Sequence, residues 1–111
     1  MVAYDDDLEE RIRNELMSET ALSERRMFGG LAFLIGGNLA IAASRKGIMV
    51  RVDPAQADDL LATTTATPME MRGRRMRGWL RVDADAVREP AELARWVAHG
   101  TRYARSLLAK R

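Results

Sequence analysis

The chain has 111 residues, 47% hydrophobic and 31% charged, a size and composition typical of one globular domain and not of a disordered segment. It contains no cysteine and a single histidine, which excludes disulfides, thiol catalysis and cysteine-ligated zinc sites. The net charge is only +2, yet residues 1–24 hold eight acids, whereas residues 71–82 hold five arginines and no acid.

The N-terminal segment predicts an amphipathic helix over residues 5–17. Leu8, Ile12 and Leu16 recur every four residues and form one apolar stripe. The aspartates at positions 5–7 fall at the helix N-terminus, where the dipole favours negative charge, so they need no bound metal to explain them. The acidic start also differs from a signal peptide, which is basic and then apolar. We therefore expect a cytoplasmic protein.

The stretch Met27–Ser44 carries no charge and four glycines, which suggests a phosphate loop, a membrane span or a β-hairpin. A phosphate loop closes with a lysine, which is missing here and also at Gly73–Gly78. A membrane helix would place Gly36–Asn38 at its centre, where these residues mark a turn. The pattern favours a hairpin with strands at 31–36 and 38–44, and no membrane association.

The remaining elements alternate between strands and helices. A third strand is predicted at 47–52 by its alternating apolar residues, and a helix follows from Pro54 to about residue 61, with Asp53 as its cap. A second hairpin covers residues 69–82 with its turn at Gly73–Arg75. A short helical turn capped by Asp83 or Asp85 then precedes a last helix at 90–108, which contains Gly100.

Together these elements predict an α+β fold. Residues 1–111 form a single domain, in which an antiparallel sheet of about five strands, built from two hairpins, is flanked by N-terminal, middle and C-terminal helices.

The second hairpin holds the main candidate site. If it alternates as a strand, Arg77, Trp79 and Arg81 share one face, opposite Met76, Leu80 and Val82. The pattern by itself favours a solvated face, with Trp79 packed under a neighbouring element and arginine stems across it. The leading functional alternative is binding of nucleic acid or another polyanion, ahead of an acidic protein partner. The candidate contact residues are Arg72, Arg74, Arg75, Arg77, Trp79 and Arg81.

Catalytic and metal-binding patterns are absent from the sequence. His99 is the single imidazole, it falls mid-helix beside Trp96, and none of the serines has the context of a nucleophile. Paired carboxylates such as Asp58 and Asp59 are common on helices and need no catalytic role. We expect a protein that is not an enzyme, with no catalytic residue, no metal and no cofactor.

The motif RRMFGG at the start of a glycine-turned hairpin resembles the N-terminal domain of the TfoX/Sxy family. The GIMVRVD strand, the DPAQADDLL helix and the closing EPAELARWV helix resemble it too, over roughly residues 8–108. In this resemblance the signature residues Met27, Phe28, Gly29 and Gly30 are structural. We expect the two glycines to let the chain turn into the first strand, and Phe28 to anchor that entry in the core.

The resemblance implies a bacterial regulatory module. The namesakes of the family are regulators of competence genes that are thought to assist a separate transcription activator. They carry an additional C-terminal domain, for which this chain has no room, so we expect a stand-alone accessory module. The resemblance leaves two functions open. One is transcription regulation with weak nucleic-acid contact through the second hairpin. The other is a homodimerising protein-interaction domain, in which a partner covers Trp79 or Trp96.

Overall fold

The structure is a computed structural model that describes residues 4–27 and 29–107. Its elements are α1 Tyr4–Glu15, β1 Leu22–Met27, β2 Gly30–Ile35, β3 Asn38–Ser44, β4 Gly47–Arg51, α2 Pro54–Thr63, β5 Thr67–Met71, β6 Arg74–Asp83 and α3 Pro90–Ser106. A 3-10 turn, Ala84–Val87, joins β6 to α3. No helix in the described part of the chain is long and apolar enough to cross a membrane.

The strands form one antiparallel sheet in the order β1-β2-β3-β4-β6-β5. The α+β prediction is confirmed, and the predicted hairpins are the pairs β2–β3 and β5–β6. The turn between β2 and β3 places Gly36 and Gly37 at φ 60° and 82°, which is the conformation that two-residue hairpin loops require. The predicted first helix, third strand, middle helix and last helix correspond to α1, β4, α2 and α3.

The three helices cover one face of the sheet. The main core cluster joins α1, α2 and α3 to alternate residues of the strands, and its largest fully buried side chains include Trp96, Phe33 and Ile12. A second, smaller cluster lies on the other face and, among the described residues, contains strand residues only. We call that side the open face. Its buried residues are Ala32, Leu34, Leu39, Ala42, Met49 and Met69.

One strand was not predicted. β1 covers LSERRM, a segment without apolar alternation, for which the sequence pattern predicted no strand. Glu24 and Arg26 lie opposite Phe33 and Leu31 and therefore point to the helical face. There both bind α1, through Glu24–Arg13 and Arg26–Glu9 ion pairs of 2.8 Å each.

The second hairpin differs in detail from its prediction. Its tight turn is formed by Arg72 and Gly73, at φ 54° and 78°, and not by Gly73–Arg75. The pairing runs from Glu70–Arg75 directly to Pro68–Leu80, so one residue of β5 lies opposite residues 76–79 of β6. This bulge interrupts the predicted alternation of side chains between the two faces before Trp79. From Trp79 to Val82 the alternation is regular.

Candidate functional site

We call β5, its turn and β6 (residues 67–83) the arginine hairpin. Its tip surrounds a shallow cavity of about 350 Å³. Five of the six predicted contact residues line this cavity together with two methionines: Met71, Arg72, Arg74, Arg75, Met76, Arg77 and Trp79. The four arginines are exposed and Trp79 is half-buried. The structure therefore brings most of the predicted site together at one end of the sheet.

The guanidinium groups at the tip lack acidic partners. In the described ranges, no ion pair and no side-chain hydrogen bond involves Arg72, Arg74, Arg75, Arg77 or Arg81. The helical side is different. There Arg13, Arg26, Arg88, Arg95 and Arg105 each bind a carboxylate, and Arg11 donates to the backbone oxygen of Val87 at 2.7 Å. Uncompensated positive charge is thus concentrated on the hairpin.

Trp79 is held in place by a cation that the sequence did not single out. The guanidinium carbon of Arg51 lies 5.3 Å from the centre of the Trp79 ring and 5.5 Å from that of Tyr103 on α3. Cation–π contacts at these distances are favourable. Trp79 also packs against the cluster on the open face. Arg51 could have been found from the sequence, because it follows Val50 on the outward side of a strong strand pattern.

Arg81 lies apart from the other five residues. It lines a second cavity, of about 460 Å³, which extends over β3, β4, β6 and β5, together with Lys46, Met49, Thr67, Glu70 and Asp83. The register places Arg81 opposite Thr67 and Met49, on the open face. The sequence prediction grouped it with the tip because a regular strand would present Arg77 and Arg81 on the same side.

The two other side chains considered as candidates, Trp96 and His99, are packed against each other on α3. Trp96 is only 2% exposed, so a partner molecule has almost no Trp96 surface left to cover. His99 packs beside it, with ring centres 5.7 Å apart. Burial, together with the nearby Arg102 and Arg95, holds the pKa of His99 below its ordinary value. Among the described residues, no group of three histidine or acidic side chains could hold a metal ion.

The comparison with protein families decides the relationship. The family model described as TfoX N-terminal domain matches residues 14–104. The chain belongs to this family. No curated protein and no solved structure matches it. The TfoX N-terminal match begins inside α1 and ends inside α3, so it contains the whole sheet and the arginine hairpin.

The TfoX signature lies at the turn between β1 and β2. Met27 ends β1 and packs against the cluster on the open face. Gly29 adopts φ 73°, and a side chain on Gly30 would place its Cβ 1.7 Å from the backbone oxygen of Ala43. Glycine is thus needed at both positions for different reasons, conformation at the first and space at the second. Phe28 lies outside the described residues, and its anchoring role stays a prediction.

Proposed function

We propose that this TfoX N-terminal domain is a non-enzymatic accessory module of transcription regulation, bacterial and cytoplasmic, that binds nucleic acid through the arginine hairpin. The observation that carries the proposal is the tip itself. Four exposed arginines without acidic partners surround one shallow cavity, with a half-exposed tryptophan at its edge.

The chemistry of these residues suits a polyanion with flat bases. Guanidinium groups form bidentate hydrogen bonds with phosphate oxygens and keep their charge at any physiological pH. Aromatic rings stack on bases, and each such contact contributes about 1–3 kcal/mol. Because the tip arginines lack internal partners, binding a phosphate would break no existing ion pair. Family membership supports the accessory regulatory role, and the hairpin supports the contact with nucleic acid.

The test is fluorescence anisotropy with labelled single- and double-stranded oligonucleotides over a salt series. The wild-type protein is compared with a variant in which Arg74, Arg75 and Arg77 are changed to Ser. We expect the affinity of the wild type to fall steeply with salt, and the slope of log K against log salt to become shallower by about two to three units in the variant, which loses three phosphate contacts.

A matched control removes the same number of charges from the helical side. Arg88, Arg95 and Arg102 are all exposed on the helical side, at the start of α3 and along it, and their change to Ser should leave binding almost unchanged. Equal losses in both variants would point to a general charge effect and contradict the assignment to the hairpin. Absence of binding by the wild type at low salt would refute nucleic-acid binding altogether.

The second candidate function is a protein-interaction domain, including a homodimer. Apolar surface at the rim of the tip favours it, since Met71 is 39% exposed next to the half-exposed Trp79. Sedimentation velocity of the wild type and of a Met71→Ser variant tests this alternative. A dimer that dissociates in the variant would support it, and a monomer at all concentrations would argue against the homodimer.

A further inference from the structure

The register of the sheet creates a continuous row of residues across the open face. Residues paired across antiparallel strands share a face, so the pairings can be followed from one edge of the sheet to the other. The row is Arg25, Ala32, Ala42, Met49, Arg81 and Thr67. It thus has an exposed arginine on the edge strand β1 and a second one on β6.

The middle of this row is low and apolar. Ala32 and Ala42 have small side chains, at 0% and 4% exposure, and Met49 beside them is 8% exposed, so this part of the row is packed beneath its neighbours and offers a ligand little surface of its own. No helix residue in the described part of the chain belongs to the cluster on this face. The described residues that pack the middle of the row are therefore all strand residues.

Cations outnumber acids on the open face. The register places Arg25, Arg51 and Arg81 there, together with Asp83, and Glu70 and Lys46 line the same cavity as Arg81. Arg25, like Arg81, makes no ion pair in the described ranges, whereas its neighbour Arg26 points to the helical face and binds Glu9. A ligand that matches this face carries negative charges at intervals, so that they reach both arginines.

We propose, on the basis of the function proposed above, that a single strand of nucleic acid lies across the open face, from the arginine hairpin to Arg25. Arg25 and Arg81 are four strand spacings apart, about 19 Å, a distance over which several phosphates of one strand pass. The phosphates bind the arginines, and one base contacts the exposed part of Trp79.

A duplex fits this surface poorly. Its bases are stacked on one another and present only their edges in the grooves, so no ring face reaches Trp79. A single strand can turn its bases onto the sheet while its phosphates stay with the arginines. Single strands and duplexes both offer phosphates to the arginines, but only a single strand can also stack a base on Trp79.

The experiment compares labelled oligothymidylate about twelve nucleotides long with a duplex of the same length, and oligouridylate tells DNA from RNA. We expect either single strand to bind about tenfold or more tightly than the duplex, the equivalent of one stacked base. Changing Arg25 to Ser should weaken single-strand binding about fivefold at about 0.1 M salt, the effect of one lost phosphate contact. The control Arg102→Ser, exposed on the helical side, should bind like the wild type.

Tryptophan fluorescence gives a second measurement that needs no variant. Trp96 is buried at 2% exposure, so a change in emission when the oligonucleotide binds reports on Trp79. Equal affinity for single strand and duplex, or a normal affinity in Arg25→Ser, would overturn the open-face path while leaving a binding hairpin intact. If the wild type bound neither the single strand nor the duplex, the proposed function on which the open-face path rests would itself be refuted.

Discussion

At Arg72 the backbone conformation is unusual for the residue that occupies it. It adopts φ 54° at the first central position of a two-residue turn, where Asn and Gly are strongly preferred. A side chain in this left-handed region costs roughly 1 kcal/mol relative to glycine. Strain of this kind is often retained where function requires the residue. Here the strained position supplies one of the arginines around the tip cavity.

We predict that Arg72→Asn raises the free energy of unfolding by about 0.5–1 kcal/mol, because asparagine tolerates the left-handed conformation. The same change should weaken binding of the oligonucleotide. Urea denaturation and anisotropy on one protein preparation measure both effects. Arg74→Asn is the matched control, since it removes the same charge but Arg74 begins β6 outside the left-handed turn. Arg72→Asn should therefore be the more stable of the two variants, because only it relieves the strain. If Arg72→Asn lowered the free energy of unfolding, this would contradict the proposed backbone strain at Arg72.

His99 gives the folded protein a pH dependence just below neutrality. Its pKa is lowered in the folded state by burial and by Arg102 and Arg95, while the unfolded chain has the ordinary value near 6.5. The unfolded state therefore binds more protons in this range, and the free energy of unfolding falls as the pH drops below about 6.5.

Urea denaturation between about pH 7 and 5 tests this sign, with His99→Gln as the comparison. The variant should lose most of the slope in this window. Glu24, whose pKa is lowered by its hydrogen bond with Arg13, contributes in the same direction but only at more acidic pH. Identical slopes in both proteins would mean that His99 titrates alike in the folded and unfolded states.

The sequence predicted those elements well in which apolar side chains alternate regularly between the main core and the other side. In β4, Ile48 and Val50 lie in the main core and alternate with Met49 and Arg51, and this pattern indicates a strand. β1 gives no such signal, because its helix-facing residues Glu24 and Arg26 are satisfied by ion pairs with α1 and not by apolar burial. Pattern analysis misses a strand whose inner side is charged.

The bulge in β6 has a tertiary cause that no local pattern contains. The backbone N–H of Val52 donates to the backbone oxygen of Gly78 at 2.7 Å, and Gly78 adopts φ 83°. A Cβ at this glycine would lie 2.9 Å from the oxygen of Val52. The approach of the chain before α2 therefore sets the bulge, and with it the separation of Arg81 from the tip. The sequence pattern grouped all six predicted contact residues together and gave no sign of this division.

Gly100 determines how closely α3 lies on the sheet. It is buried in the middle of the helix, and a Cβ there would lie 2.3 Å from the backbone oxygen of Ala40 on β3. Alanine is the better helix former by about 1 kcal/mol, but that gain is smaller than the strain of displacing a 17-residue helix from its sheet.

We therefore predict that Gly100→Ala destabilises the protein by about 1–3 kcal/mol in urea denaturation, despite its higher helix propensity. Ala98→Gly on the exposed side of the same helix is the control and should lose about 0.5–1 kcal/mol through propensity alone. If Gly100→Ala were stabilising, the helix would tolerate more distance from β3 than the structure allows.

At the scale of the whole molecule, the charges are arranged by side. Arginines on the helical side are mostly paired, and the acid-rich α1 packs near the β1 edge of the sheet, where Arg13 and Glu9 bind β1 residues. The arginine hairpin forms the opposite edge. Its arginines form no ion pairs and therefore repel one another. This repulsion destabilises the folded state most at low salt, where screening is weakest.

This arrangement predicts a salt dependence of stability that differs between the two sides. At low ionic strength, the Arg74, Arg75 and Arg77 to Ser variant should be more stable than the wild type by a few tenths to about 1 kcal/mol, because like charges on neighbouring positions of a helix or sheet repel by such amounts. The difference in stability should vanish as salt rises toward about 1 M, where the Debye length is about 3 Å.

The helical-side variant with Arg88, Arg95 and Arg102 changed to Ser should instead be less stable than the wild type at low salt, because it loses the attraction of Asp85 and Glu92. Thermal unfolding at several salt concentrations separates the two signs, and equal salt dependence in the two variants would contradict the segregation of charge.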